Sequence, residues 1–186
     1  HDLTLAADTS YGTERTLHKL RRWHMPGDQI TLVERILPRL KLLSKHVPRR
    51  VQTAVFNTLW NRWVTARRFQ KRGHDCDRCL LGCNTTSAND SIEHYLVCPV
   101  VLSFARTRLS MHLDSASSRM QLLLAALPPK PRRAAQWWAK CALLVYSIYR
   151  TTNTARHRTP LPPGEAKRAL QEALYEGAKH QDRKSV

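Results

Sequence analysis

Acidic residues and glycine are both scarce in this chain of 186 residues: 14 Asp and Glu stand against 31 Lys and Arg, and there are six Gly. The shortage of acid leaves a formal net charge of +17. It excludes an acidic disordered tail and points to a polyanionic partner, nucleic acid first and an anionic membrane surface second. Low glycine with 42% hydrophobic residues excludes a wholly disordered basic chain, while ten prolines predict short segments joined by abrupt turns. Long apolar runs are missing too. The longest, 121–127 and 141–149, fall well short of the ~20 residues a bilayer span requires. Alternating strand patterns are nearly absent, and no repeat is visible. The first ten residues have no apolar signal-peptide core, and the chain begins at His1, so residue 1 is expected to be an internal position of a longer precursor.

What remains is helical periodicity, and the expected fold is mainly α: short helices around one zinc knuckle, followed by a C-terminal helical segment. A short helix is predicted over 13–24, where Leu17, Leu20 and Trp23 share a face before the turn Met25-Pro26-Gly27-Asp28. Val33, Ile36, Leu37, Leu40, Leu43 and Val47 predict two helical pieces broken at Pro38. Val51, Val55, Leu59 and Trp63 form an i+4 edge of a helix expected over 49–69. Residues 73–90 lack periodicity and read as a loop, after which Asp90 and Glu93 suggest a capping box opening a helix that carries His94 and Cys98, with Pro99 at a first turn or a kink. Further helices are expected over 100–111, 119–127, 133–150 and beyond the Pro-rich linker 159–164, the last with Ala166, Leu170, Ala173 and Leu174 on one face. The implied organisation is an extension over 1–29, a basic helical region over 30–127 with its knuckle at 73–98, a helical segment over 128–178 and a polar tail over 179–186.

Four of the five cysteines lie between Cys76 and Cys98, which suits a metal site in a reducing intracellular compartment, nucleus or organelle, better than a disulfide framework. Cys76, Cys79, His94 and Cys98 give Cys-x2-Cys-x14-His-x3-Cys, four soft or borderline ligands suited to one tetrahedral Zn2+. Cys83 offers an alternative to Cys76, giving Cys-x3-Cys-x10-His-x3-Cys. The two-residue spacing favours Cys76, whereas Gly82 eases a sharp approach for Cys83. A closed set of four ligands leaves no position for substrate, so the metal is expected to be structural.

Leu59-Trp60-Asn61-Arg62-Trp63, then Thr65 to Gln70, the cysteines, Asp90-Ser91-Ile92-Glu93-His94-Tyr95 and Cys98-Pro99 together resemble the region C-terminal to the polymerase in non-LTR retrotransposon reverse transcriptases. The resemblance extends loosely to Leu144 through His157. It implies a non-catalytic module that grips template RNA or target DNA, and a first cysteine pair spaced as Cys79 and Cys83. No Tyr-x-Asp-Asp pair is present to hold polymerase metals, and no Pro-Asp motif precedes Glu165 and Lys167 to suggest a nuclease, so no enzymatic activity is expected.

The cations have their own pattern. Between Glu34 and Asp75 no acidic residue occurs, and Arg49, Arg50, Arg62, Arg67, Arg68, Lys71 and Arg72 are the candidate phosphate contacts. Trp60 and Trp63 can stack on bases, although their helical spacing is commoner in cores. RNA is the preferred ligand. The alternatives are a recruited RNA-binding subunit of a large ribonucleoprotein such as an organellar ribosome, assembled with other proteins, and a protein-interaction scaffold docking through the Trp137 to Tyr149 helix. Trp137 and Trp138, being adjacent, are not expected to point into the same interior.

Overall fold

Asp28 opens the first long helix by accepting the Thr31 backbone N–H at 2.8 Å, the usual service of a side-chain oxygen to an orphan amide. The computed structural model describes residues 9–66, 78–85, 88–156 and 160–179. Among these the fold is mainly helical, with no strand: α1 (Thr9–Arg21), α2 (Gln29–Leu43), α3 (Arg49–Leu59), α4 (Ile92–Tyr95), α5 (Pro99–Leu109), α6 (Ser118–Leu122), α7 (Ala134–Ala155) and α8 (Pro163–Ala178), with a 3-10 turn over Pro131–Arg133. No helix among the described residues is long and apolar enough to cross a membrane.

Pro38 does not divide the second helical stripe. α2 runs through it, with Leu32, Val33, Ile36, Leu40 and Leu43 buried in one continuous register. The proline sits on the exposed face, where water can satisfy the carbonyl that its missing N–H leaves free. The apolar face on both sides holds the helix together.

α3 is shorter than its apolar pattern predicts, ending at Leu59 instead of near residue 69. Asn61 adopts the left-handed conformation at φ 51°. Its N–H bonds to Thr58 O at 2.9 Å and that of Arg62 to Asn57 O at 2.7 Å. Those two bonds are the Schellman closure of a helix. Trp63 therefore reaches the core from beyond the helix end, fully buried, with its indole N–H on Thr58 Oγ1 at 3.0 Å. The expected helix over 119–127 also shrinks, to α6, because Leu124 takes φ 62° and turns Leu122, Leu123, Leu124 and Ala125 inward together.

α7 is the central element, packing against α2, α3, α5, α6 and α8. One cluster of buried apolar side chains runs from Leu20 to Leu174, taking in Trp23, Val55, Phe104, Leu144, Ile148 and Leu170. Arg39 lies within it, 7% exposed. Its guanidinium donates to Leu124 O and Ala126 O at 2.5 and 2.7 Å and covers the Trp138 ring at 4.8 Å. Trp137 and Trp138 are each half-buried against the core.

Candidate metal centre

The segment carrying Cys79 and Cys83 is seated by backbone contacts with the α7–α8 linker. Leu161 N–H donates to Leu80 O at 2.9 Å, and Gly82, at φ +67°, lies so close to the Leu161 carbonyl that a Cβ would overlap its oxygen. Only glycine meets both demands. Leu80 and Leu81 are buried beneath, so this loop contributes to the core despite its lack of periodicity.

The other two candidate ligands come from either side of a helix break. α4 is one turn long, and its N-cap is Ser91, not Asp90: Ser91 Oγ accepts the His94 N–H at 3.1 Å. Cys98 is the N-cap residue of α5, with Pro99 at its first turn. His94 and Cys98 thus do not share one continuous helix face. They converge because the chain turns at Leu96 and Val97 between α4 and α5.

Cys79, Cys83, His94 and Cys98 place their ligand atoms within 4.8 Å of one another and can hold one metal ion. Cys79 Sγ and Cys98 Sγ are 3.8 Å apart, and Cys83 Sγ lies 3.1 Å from His94 Nε2. Two thiolates at ~2.3 Å from a tetrahedral ion lie about 3.8 Å apart, so the first edge already has the required length. The second needs only a slight opening. Cys79, Cys98 and His94 are buried and Cys83 is half-buried. The hydrogen bond with Cys98, followed by burial, pushes the Cys79 thiol up to about 12. Three sulfurs and an imidazole are a donor set for a soft or borderline cation. Of the two registers, the structure brings Cys83 to Cys79, His94 and Cys98, while Cys76 lies outside the described residues.

Asp90 has a different role from the predicted cap. It is buried, accepting Ala66 N–H at 2.7 Å, Tyr95 Oη–H at 2.8 Å and Arg156 Nη2–H at 3.4 Å. Burial, then the adjacent Asp90 carboxylate, pushes the Tyr95 phenol well above its ordinary range. The same phenol faces Leu80 N–H at 3.4 Å, linking the two halves of the knuckle. On the outside, Glu93 pairs with Arg22, in the turn just after α1, at 3.0 Å. Sequence reasoning missed this hub because Asp90 and Arg156 are 66 positions apart, and no local pattern signals the pairing.

The candidate phosphate contacts divide. Arg49 and Arg62 are exposed. Arg50 is partly buried, donates to Glu176 O of α8 and lies over the Tyr146 ring at 5.9 Å, so it joins α3 to α7 and α8. Arg67, Arg68, Lys71 and Arg72 lie outside the described residues. Of the other cations in the acid-free stretches, Arg39 and Arg156 are committed inside the fold, and Arg150 pairs with Glu176 at 3.4 Å.

No protein-family model matches this sequence, and neither the curated proteins nor the solved structures contain a match.

Proposed function

We propose that this chain is a non-catalytic nucleic-acid-binding module, RNA preferred, stabilised by one structural zinc ion on Cys79, Cys83, His94 and Cys98. In this reading it is related to the region C-terminal to the polymerase of non-LTR retrotransposon reverse transcriptases. The observation that carries it is a closed four-ligand cluster inside a chain of net charge +17. With four protein ligands a tetrahedral ion has no open position, so the ion supplies rigidity, not Lewis acidity. Between Glu34 and Asp75 the chain carries no acid, and Arg49 and Arg62 of that stretch are exposed. Phosphates are the complementary ligand.

The scaffold reading has less support. Trp138 is covered by Arg39, and Cys141, Leu144, Val145 and Ile148 of α7 are buried within the fold, leaving no broad apolar face on that helix for a partner. Membership of a larger ribonucleoprotein remains compatible with the same chemistry.

The test is binding of single-stranded RNA across a salt series, with metal content measured on the same protein. Zinc at one per chain and a log affinity falling linearly with log salt, by about 0.7 per phosphate contact, is the expected result. Binding that ignores salt, or protein free of zinc with every thiol titratable, overturns the reading.

A further inference from the structure

Trp60 and Trp63 are three residues apart, yet the structure uses them differently. Trp63 is wholly buried, hydrogen-bonded to Thr58 and packed against Tyr149 at 5.3 Å between ring centroids. Trp23 is buried likewise, with its indole N–H on Leu59 O at 3.1 Å. Trp60 is only half-buried and its ring is stacked on Phe56, centroids 4.1 Å apart and planes 16° from parallel.

At 100° per residue, Arg49, Thr53 and Phe56 of α3 and Trp60, its C-cap residue, fall within about 60° of one another. That face is about half a turn from the centre of the buried stripe of Val51, Ala54, Val55 and Thr58, with buried Leu59 between the two and Trp60 packed at the core's edge. Two aromatic rings therefore stand on the side of an amphipathic helix that ordinarily carries polar groups. The Arg62 guanidinium lies over the Phe56 ring at 5.3 Å. Among the described residues, no carboxylate pairs with Arg49 or Arg62. Stacked rings flanked by unpaired cations are suited to a planar group on an anionic chain.

We infer that Phe56, Trp60 and Arg62 form a stacking platform for an unpaired base of a single-stranded nucleic acid, with Arg49 on the same face to meet a neighbouring phosphate. This rests on the nucleic-acid reading above and adds to it the class of ligand: single-stranded, and gripped through its bases as well as its phosphates. Stacking is tolerant of base identity, so the platform discriminates strand state and not sequence.

Binding of an oligouridylate should be compared with that of an abasic ribose-phosphate chain of the same length, using the full protein and Trp60→Ala. The substitution is expected to weaken oligouridylate about ten-fold or more, leave the abasic chain unchanged and keep the salt slope, with Trp60→Phe retaining most of the affinity. Equal weakening of both chains, or of neither, overturns the platform. A wild-type protein that binds both chains alike with a steep salt slope also overturns it, while leaving phosphate recognition standing. Failure to bind either chain removes both readings. Should Trp60→Ala fail to fold by circular dichroism, photocross-linking of the wild-type protein to a 5-iodouridine oligonucleotide decides instead. An adduct on Phe56 or Trp60 supports the platform, and adducts confined to other residues overturn it.

Discussion

α7 and α8 lie along one another with Leu144, Tyr146, Ile148, Ala166, Leu170 and Leu174 buried, and Gly177 allows close approach to Leu143 and Tyr146. Residues 78–98 are organised otherwise. Among the described residues their only helix is the single turn α4, and the junctions that order them are few and polar: Leu161 N–H on Leu80 O, the Asp90 hub, and four clustered side chains that could hold a metal ion. Stability in the helical pair is spread over many dispersion contacts, each worth little. In the knuckle it is concentrated at one centre. The first should weaken gradually under substitution, whereas the second should fail as a unit.

Removing the metal tests that contrast most severely. Chelation is expected to cost several kcal/mol, because the binding free energy of a structural ion is also folding free energy. Hydrogen exchange should show protection lost first at 78–98 and retained longest in α7 and α8. Melting and exchange profiles indifferent to chelator would remove the distinction between the regions. Cys83→Ser should release the metal and Cys76→Ser should not; the reverse outcome would place Cys76 in the centre.

Substitutions of comparable size then sharpen the comparison. Leu170→Ala, in a fully buried site, should cost about 2–5 kcal/mol while metal retention is unchanged. Gly82→Ala should cost a similar amount, about 2–5 kcal/mol, from left-handed backbone strain plus overlap with the Leu161 carbonyl. It should also weaken metal retention, measured by competition with a chromogenic chelator, because Gly82 sets the approach of Cys83. Equal effects of both variants on retention would mean that the regions fold as one inseparable unit.

Three of the four clustered side chains, Cys79, His94 and Cys98, were common to both registers read from the sequence because their chemistry is local; the fourth was left between Cys76 and Cys83, and the tertiary seating of Gly82 against Leu161, which brings Cys83 to the other three, has no local signal. The cap before His94 was misplaced by one residue, since Asp and Ser are equally good N-caps and only the tertiary demand from Ala66, Tyr95 and Arg156 assigns Asp90 elsewhere. Helix content was legible from apolar spacing, but helix ends were not. α3 stops at an Asn that accepts φ 51°, a conformation weakly signalled by residue type. α2 continues through Pro38 because burial on its other face outweighs one lost hydrogen bond. The cations were countable, yet their fates were hidden: Arg39 is buried over the Trp138 ring and Arg62 lies exposed on Phe56, and no local pattern separates the two.

The smallest effect concerns the junction between the regions. Arg156, at the end of α7, meets Asp90 of the knuckle at 3.4 Å, with side chains 17% and 7% exposed. Asp90 keeps Ala66 N–H and Tyr95 Oη–H without it, so Arg156→Met removes one of three partners and not the whole hub. A double-mutant cycle of Asp90→Asn and Arg156→Met should give a coupling of about 1–2 kcal/mol, within the range for contacting residues in one network. The coupling should survive high salt, because a pair this buried is weakly screened. The Arg22–Glu93 pair, whose arginine side chain is 42% exposed, is the control. Its coupling should lie below about 1 kcal/mol and fade with added salt. If the Asp90–Arg156 coupling fades as fast, the polar hub does not join the knuckle to the helical pair, and the backbone contact at Leu80, Gly82 and Leu161 carries that junction alone.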